Sequence, residues 1–393
     1  MLNKLDIIKS QEDCYVLVGR NGSGKSTLLF ELAEDFHDSG HNVITVSNTL
    51  FDKFLVHPNS YQYDYIGGKL GRSFPALAIK RTISANKRDR VSRIFFVLKN
   101  IGYEQRIGVR VKFRRKFKEM FRLPMDTMSD HYQSYFDNIG EDITDELRSA
   151  LNKAVFKTGS GLSVLEWLEG EGEGNIFYES DFNSYMQLIR FERVLKKAKI
   201  ISAIDIFLTK DDCSFPLSYA SSGELSFIAL LVHVAFCVVD NSYIFIDEPE
   251  NSLHPQWQNE YLELLKGVIG YNNCVIVVAT HSPLIISSLA AYDKAVIFKR
   301  TRHGFERVKF YDDNAEELYI DYFDTLTPKN RALSNRCVDI IDDYTLGKTT
   351  LNIAKKRLSI YEGMSSDSAQ IEFLAGVEDI LDEMDKNKGN QHD

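Results

Sequence analysis

The sequence of 393 residues contains no uninterrupted apolar run of about 18 residues, the length that a membrane-spanning helix requires. Its first residues also lack the apolar core of a signal peptide. The five cysteines, which are Cys14, Cys213, Cys237, Cys274 and Cys337, form no Cys-x-x-Cys pair. This argues against a zinc site and favours a reducing compartment. We therefore expect a cytoplasmic protein that does not associate with membranes.

Heptad repeats with apolar first and fourth positions are also missing over any long stretch, which excludes a long coiled-coil arm. What the chain has is an ordinary globular composition, with enough length for two or three domains. Its net charge of −9 hides an asymmetry, because residues 80–122 contain fifteen Lys or Arg residues against three acidic residues. A mildly acidic protein with one concentrated basic segment can bind nucleic acid there.

A glycine-rich loop close to the N-terminus predicts a nucleotide site. It follows the apolar run 14–18, which is typical of a buried strand, and precedes a predicted helix over 26–36. Glycines in such a loop let backbone N–H groups face phosphates at the positive end of a helix. We expect Lys25 to reach the β- and γ-phosphates of ATP and Ser26 to hold Mg²⁺. The predicted nucleotide-binding residues of the loop are Asn21, Gly22, Ser23, Gly24, Lys25, Ser26 and Thr27.

Two further strands end in polar residues suited to phosphate chemistry. The apolar run 243–246 ends in Asp247 and Glu248, and a buried carboxylate is costly unless it faces a metal ion or another polar group. This pattern predicts that Asp247 binds Mg²⁺ and that Glu248 activates the attacking water. Glu250 has either a structural role or a second polar role near that water. The apolar run 275–279 is followed by His281, which we expect to contact the γ-phosphate.

A fourth motif, Ser221-Ser222-Gly223-Glu224, opens a predicted apolar helix over 223–240. A helix N-terminus with Ser and Gly is suited to bind an anion. Within a single copy of the chain, this motif would have no nucleotide to contact. In a two-fold dimer, Ser221, Ser222 and Gly223 of one copy could lie over the γ-phosphate bound by the other copy. The alternative is a plain N-terminal cap of the helix.

The order of these four motifs resembles the SMC/RecF branch of ABC ATPases. The segments Asp247-Glu248-Pro249-Glu250-Asn251-Ser252-Leu253-His254-Pro255 and Thr280-His281-Ser282-Pro283 more narrowly resemble compact ATPases of bacterial anti-phage systems. These include the OLD-family nucleases, the AriA subunit of PARIS, and above all the PtuA subunit of Septu and retron operons. The resemblance implies a loop at Asn251 and Ser252 that crosses a dimer interface. The motif at 220–224 departs from Leu-Ser-Gly-Gly, and Gln62 is the one early candidate for the Gln-loop ligand.

The resemblance also implies the cofactors and partners. We expect an ATPase that uses ATP and Mg²⁺ and forms a homodimer or higher oligomer around two ATP molecules. The tail has no Glu-Gly followed by Asp-x-Asp, so the chain is expected to lack its own nuclease and to control a separate effector. That effector would be an HNH nuclease or another toxin, and in a retron setting the partners would include an RNA–DNA product.

Two other functions stay open from the sequence. One is a RecF/SMC-like repair ATPase that acts on DNA directly. The other is a transporter subunit, against which the long insertion and the unusual 220–224 motif argue. Six cations beside aromatic residues are candidates for nucleic-acid contact, with a solvated surface or an acidic partner as the alternatives. They are Arg110, Lys112, Arg114, Arg115, Lys116 and Lys118.

The predicted fold class is α/β, an ABC-type P-loop ATPase head with a mainly parallel central sheet. Residues 1–47 and 200–312 would form the two parts of the head. Residues 48–199 would form an inserted helical and mixed lobe that carries the basic segment. Residues 313–393 would form a helical C-terminal region, whose last apolar stripe either packs on its own chain or docks a partner.

Overall fold

The computed structural model describes residues 6–7, 12–49, 52–57, 60–70, 74–84, 88–120, 145–169, 179–309, 315–326, 331–365 and 368–389. The strands are β1 (Cys14–Val18), β2 (Asn42–Ser47), β3 (Tyr63–Gly67), β4 (Arg106–Phe113), β5 (Ser163–Glu169), β6 (Ile201–Lys210), β7 (Cys213–Pro216), β8 (Ser242–Asp247), β9 (Cys274–Ala279), β10 (Ala295–Thr301) and β11 (Gly304–Val308).

The α-helices are α1 (Lys25–Asp38), α2 (Phe74–Ser84), α3 (Arg88–Asn100), α4 (Arg115–Met120), α5 (Asp145–Lys157), α6 (Glu179–Arg190), α7 (Glu192–Lys197), α8 (Ser222–Cys237), α9 (Pro255–Ile269), α10 (Pro283–Ser287), α11 (Ala315–Phe323), α12 (Arg331–Thr345), α13 (Leu351–Met364) and α14 (Ser368–Gly389). None of the described helices is long and apolar enough to cross a membrane.

One compact unit consists of residues 1–32 and 276–393. Its strands lie in the order β11–β10–β1–β9, and β1 is parallel to both of its neighbours. All five residues of β1 are buried, as expected for a central parallel strand covered on both faces. β10 and β11 pair as an antiparallel hairpin, in agreement with the edge hairpin that the sequence of residues 294–299 and 306–311 predicts.

The other compact unit consists of residues 33–275. Within it β2 lies between β8 and β3 and is parallel to both, with Ser47 opposite Asp247 at the carboxyl ends of the strands. A second sheet of the same unit has the order β5–β4–β6–β7, and its pairings are antiparallel. Helices α2 and α3 pack against the long apolar helix α8.

The C-terminal helices form a core of their own. The apolar stripe of α14 buries Leu374, Val377 and Leu381 against residues of α12 and α13, while Ile371 stays about half exposed. Lys355 of α13 forms ion pairs with two acidic residues of α14. Of the two roles left open for this stripe, packing on its own chain is therefore the one observed.

The predicted α/β class with mainly parallel strands around the motifs is confirmed. The tyrosines and glycines of residues 48–71 favour a loop in the sequence, but β3 runs through this stretch. The spacing of apolar residues over 75–100 predicts one helix, whereas the structure has two, α2 and α3. The sequence does not predict β5, and the Glu-Gly run 169–174, which predicts a loop, lies almost wholly outside the described residues. The division into four segments, with boundaries after residues 47, 199 and 312, stays a prediction.

Candidate nucleotide-binding site

The glycine-rich loop connects the buried end of β1 to the start of α1 at Lys25. Gly22 and Gly24 have φ values of 75° and 94°, in the region that residues with a side chain rarely adopt. The first turn of α1 leaves backbone N–H groups without partners in the helix, and the helix dipole makes this end positive. The loop therefore has the backbone that a bound phosphate requires.

Lys25 lies where the loop meets α1 and is only 4% exposed. Its ammonium Nζ donates to the carbonyl oxygen of Gly19 at 2.9 Å and lies 2.6 Å from Nε2 of His281. Because an ammonium group can only donate, Nε2 of His281 is the acceptor in this contact. The structure thus brings His281, which follows β9, to the lysine of the phosphate loop.

An orphaned hydroxyl in the same loop fits a phosphate ligand. Among the described residues, Oγ of Ser23 is buried and has no hydrogen-bond partner. Such a group costs free energy unless a ligand or water satisfies it. Together with the positive-φ glycines and Lys25, it shows that the residues present suit the triphosphate of a nucleotide.

Arg20, which no sequence pattern had singled out, connects the loop to the C-terminal region. Its guanidinium donates to the backbone oxygen of Asp324 at 2.8 Å. The carboxylate of Asp324 in turn accepts from Lys299 at 2.6 Å. Asp324 has a positive φ of 50°, so this turn is held in an uncommon conformation by its contacts.

In the other compact unit, Asp247 ends β8 and Glu248 directly follows it. Asp247 is 4% exposed and lies opposite Ser47 at the end of β2. Glu248 has a positive φ of 49°, and Nδ2 of Asn251 donates to its carboxylate Oε2 at 2.8 Å. The amide of Asn251 therefore fixes the direction of the carboxylate that was predicted to activate water.

The motif at residues 221–224 caps α8. Ser221 Oγ accepts from the backbone N–H of Glu224, and the Glu224 carboxylate accepts from the backbone N–H of Ser221. Burial raises the pKa of Glu224, but hydrogen bonds from Lys210 and Ser221 outweigh it, so the pKa lies below its usual value. The predicted alternative of an N-terminal cap is thus observed, and it leaves Ser221 exposed. The side chain of Ser222 is outside the described part of the chain.

Gly223 makes a close approach that only glycine allows. A Cβ at this position would lie 2.1 Å from the backbone oxygen of Ser252, in the loop after Glu248. The start of α8 and that loop therefore touch within one chain. They border an open cavity of about 940 Å³ that is lined also by Lys99, Lys210 and Trp257.

The basic segment is less available than its sequence indicates. Arg110 and Lys112 of β4 both pair with Asp205, at 2.9 and 2.8 Å. Lys118 is 6% exposed and donates to Thr158 and to the backbone oxygens of two glycines, so it is a wrong candidate for nucleic-acid contact. Its ammonium instead connects α4 to the turn after α5 through these hydrogen bonds.

Three of the six cations predicted to contact nucleic acid are exposed. They are Arg114, Arg115 and Lys116, at the junction of β4 and α4. Arg115 also pairs with Glu119 one turn along α4, a contact of small energy at the surface.

The structure contradicts the assignment of Gln62 as the Gln-loop ligand. Gln62 directly precedes β3, at the amino end of these parallel strands, and its amide donates to the backbone oxygen of Gly40. Asp247 lies at the carboxyl end of β8, the opposite edge. Asn48, which follows β2, is the residue that reaches this edge, and its amide donates to the oxygen of Pro249 at 2.9 Å.

Comparison with known proteins gives a family match over more than half of the chain. The family is described as "AAA domain, putative AbiEii toxin, Type IV TA system", and its model matches residues 14–287. This range contains the glycine-rich loop, the 221–224 motif, Asp247, Glu248 and His281.

Two curated proteins are similar to the chain. The "Retron Vc95 probable ATPase" of Vibrio cholerae serotype O1 biovar El Tor is 22% identical over 376 residues, with 75% of this chain and 71% of that protein covered. "Protein ea59" of Escherichia phage lambda is 30% identical over 118 residues, but the match covers 28% of this chain and 22% of that protein.

Two solved structures also match, at low structural similarity. The SMC head domain from Thermotoga maritima has a TM-score of 0.22 and 17% identity, with 28% of this chain and 40% of that chain covered. VirB4 of Thermoanaerobacter pseudethanolicus has a TM-score of 0.26 and 12% identity, with 74% of this chain and 78% of that chain covered.

Proposed function

Since the chain belongs to the AAA-domain family that matches residues 14–287, we propose that it binds and hydrolyses ATP as a subunit of an anti-phage defence complex. In this proposal two copies dimerise around ATP, in the manner of SMC-like ATPases, and control a separate effector. The similarity to a protein named as a retron ATPase supports the defence setting.

The contact between Lys25 and His281 is the observation that carries the proposal. A histidine after a strand is commonly a satisfied surface residue with no role. Here its Nε2 lies 2.6 Å from the buried ammonium of the phosphate-loop lysine, close enough for both side chains to contact the same phosphate group. An ordinary glycine-rich turn would not need such a partner.

The remaining roles follow from the residues and their surroundings. Lys25 and the loop N–H groups bind the β- and γ-phosphates, and His281 contacts the γ-phosphate. Ser26 and Asp247 supply oxygen ligands of the kind that Mg²⁺ prefers. The bound Mg²⁺ would neutralise charge that develops on the phosphates. Glu248, which is oriented by the hydrogen bond from Asn251, accepts the proton of the attacking water.

The exposed start of α8 supports a role across a dimer. Ser221 and Gly223 lie at a helix N-terminus beside an open cavity, where an anion from outside the chain can approach. In the proposed dimer this anion is the γ-phosphate held by the other copy. The contact of Gly223 with the backbone of Ser252 would then link γ-phosphate contact to the loop that holds Glu248.

The proposed effector is a separate protein. By resemblance to the PtuA subunits of Septu and retron operons, it is an HNH nuclease or another toxin encoded beside this chain. In a retron setting, a reverse transcriptase and its RNA–DNA product would join the complex.

The Glu248→Gln variant tests the mechanism. Loss of the general base should slow hydrolysis by about 100-fold or more while ATP still binds, so an ATP-bound dimer should persist in size-exclusion chromatography with light scattering. Glu263→Gln, an exposed residue of α9, is the matched control and should behave as the wild type. Unchanged hydrolysis in Glu248→Gln, or a monomer in excess ATP, would contradict the proposal.

The same variant identifies the effector when it is expressed with its native gene neighbours. A nuclease or toxin that co-purifies only in ATP supports the defence complex. The exposed cations Arg114, Arg115 and Lys116 favour a second candidate, a repair ATPase of the RecF/SMC kind. A dimer that binds DNA without any protein partner would favour that candidate instead.

A further inference from the structure

Three side chains that the ATPase reaction does not use meet between α8 and β3. His233 and Cys237 are four residues apart on α8 and so share one face of the helix. Asp64 comes from β3, in the same compact unit. One ligand atom from each residue lies within 4.8 Å of the others. Imidazole nitrogen, thiolate sulfur and carboxylate oxygen together form a ligand set typical of zinc.

The distance between the nitrogen of His233 and the sulfur of Cys237 can be compared with the nitrogen–sulfur distance in a zinc site. Nε2 of His233 and Sγ of Cys237 are 3.5 Å apart. Zn–N and Zn–S bonds of about 2.05 and 2.3 Å at a tetrahedral angle place nitrogen and sulfur about 3.5 Å apart. The two atoms therefore already have the spacing of two corners of a zinc tetrahedron. An ordinary sulfur–nitrogen hydrogen bond has a similar length, so this distance alone does not decide between them.

The three residues differ in burial. His233 is 3% exposed, and burial together with the charge of Arg81 lowers its pKa. Cys237 and Asp64 are only partly buried, which leaves a path for an ion to enter.

The backbone around the three residues is fixed before any ion binds. Asp64 lies opposite Ile44 in the parallel pairing of β2 with β3, and its backbone oxygen accepts from Thr45 at 3.3 Å. His233 and Cys237 lie in the last turns of a helix whose middle is buried. A preformed set of ligands loses little conformational entropy when the ion binds.

We propose that Asp64, His233 and Cys237 bind one Zn²⁺ ion, with a fourth coordination position open to water or a ligand. The carboxylate and the thiolate balance the two charges of the ion, and the thiol proton is released to solvent on binding. The ion would join the C-terminal end of α8 to β3. This site contains none of the residues assigned to ATP, and it was missed in the sequence because it is not of the Cys-x-x-Cys type.

Cobalt(II) is the probe, because its spectrum reports both a thiolate ligand and tetrahedral geometry. Titration of the chelator-treated full chain should reach one equivalent, with a thiolate-to-cobalt charge-transfer band and intense visible bands. Zn²⁺ should abolish both signals by displacing the cobalt. Weak bands of octahedral cobalt, or the lack of a one-equivalent endpoint, would overturn the proposal.

Two variants assign the ligands. Cys237→Ser should lose the charge-transfer band, and Asp64→Asn, at a half-buried position, should weaken cobalt affinity by about tenfold or more. Cys213→Ser removes an exposed cysteine far from this cluster in sequence and is the matched control. If Cys213→Ser loses the band while Cys237→Ser keeps it, the assignment is wrong. Circular dichroism of each metal-free variant separates ligand loss from unfolding, and Asp64→Asn decides if Cys237→Ser does not fold.

Discussion

In the proposed mechanism, the hydrogen bond from Asn251 to Glu248 gives the loop after β8 a role within one chain. A carboxylate that accepts a proton must point at the water, and the 2.8 Å contact restricts its rotation. A hydrogen bond to a charged group contributes about 1.5–3 kcal/mol. Asn251→Ala should therefore lower kcat by about 10- to 100-fold, with little change in ATP affinity, as measured by steady-state hydrolysis and nucleotide binding.

The control for this prediction is Asn259→Ala, an exposed asparagine of α9. It should leave both kcat and ATP affinity unchanged. If Asn251 acts only across the dimer interface, as its resemblance to known ATPases implies, Asn251→Ala would weaken dimerisation instead. When both proteins are fully dimeric, the kcat of Asn251→Ala would then equal that of the wild type. This result would contradict the role of Asn251 within one chain.

Gly223 and Gly376 are two helical glycines with opposite surroundings. Alanine is generally the better helix former by about 1 kcal/mol. At Gly376 of α14 an added Cβ meets nothing within 4 Å, so Gly376→Ala should raise the melting temperature slightly. At Gly223 the added Cβ meets the Ser252 oxygen at 2.1 Å, so Gly223→Ala should lower the melting temperature and impair hydrolysis. If the melting temperature rises equally in both variants, the loop after Glu248 must move freely.

At the residue scale, the sequence indicates candidate site residues but not their contacts. Lys25, Asp247 and His281 could be proposed because each follows or ends an apolar run in a recognisable order. The contacts of Arg20 with Asp324 and of Gly223 with Ser252 join residues with no local pattern. Such pairs depend on the tertiary fold and leave no periodic signal in the chain.

At the scale of single elements, α14 offers two neighbouring apolar residues with different surroundings. Leu381 is fully buried in the C-terminal helical core, whereas Ile380 is 46% exposed. Leu381→Ala should cost about 2–5 kcal/mol of stability, because it leaves a cavity. Ile380→Ala should cost about 0.5 kcal/mol or less. Chemical unfolding of the two variants measures the difference, and similar losses would mean that α14 does not pack as described.

The missed elements show where periodicity fails. β3 has only five residues, two of them tyrosines, and two glycines follow its last apolar residue, which favours a loop in the sequence. Its pairing with β2 comes from a strand more than fifteen residues earlier, which no local window contains. By contrast, β1, β8 and β9 are runs of apolar residues, and such runs predict buried parallel strands without further information.

At the scale of the whole molecule, any nucleic acid must be attracted despite a net charge of −9. Of the six cations predicted to contact nucleic acid, Arg114, Arg115 and Lys116 are exposed, and Arg115 pairs with Glu119 on the surface. If all three contact phosphates, changing them together to alanine should reduce the slope of log affinity against log salt by about 2.7 on duplex DNA. Fluorescence anisotropy at several salt concentrations measures this slope.

Arg110→Ala is the control for that experiment. Its guanidinium is held by Asp205 at 2.9 Å and lies over the ring of Phe207, so the slope should barely change. An unchanged slope in the triple variant would exclude the basic segment as a nucleic-acid site.

The pairing of β1 with β9 and β10 sets the order in which a nascent chain can fold. Residues 33–275 are continuous, so their compact unit can form as soon as they leave the ribosome. β1 leaves first, but its partners at residues 276–279 and 295–299 are synthesised much later. At about 5–20 residues per second, the apolar strand before the phosphate loop stays unpaired for roughly 10–50 s. During synthesis, β1 is therefore a segment on which a chaperone that binds apolar strands would act.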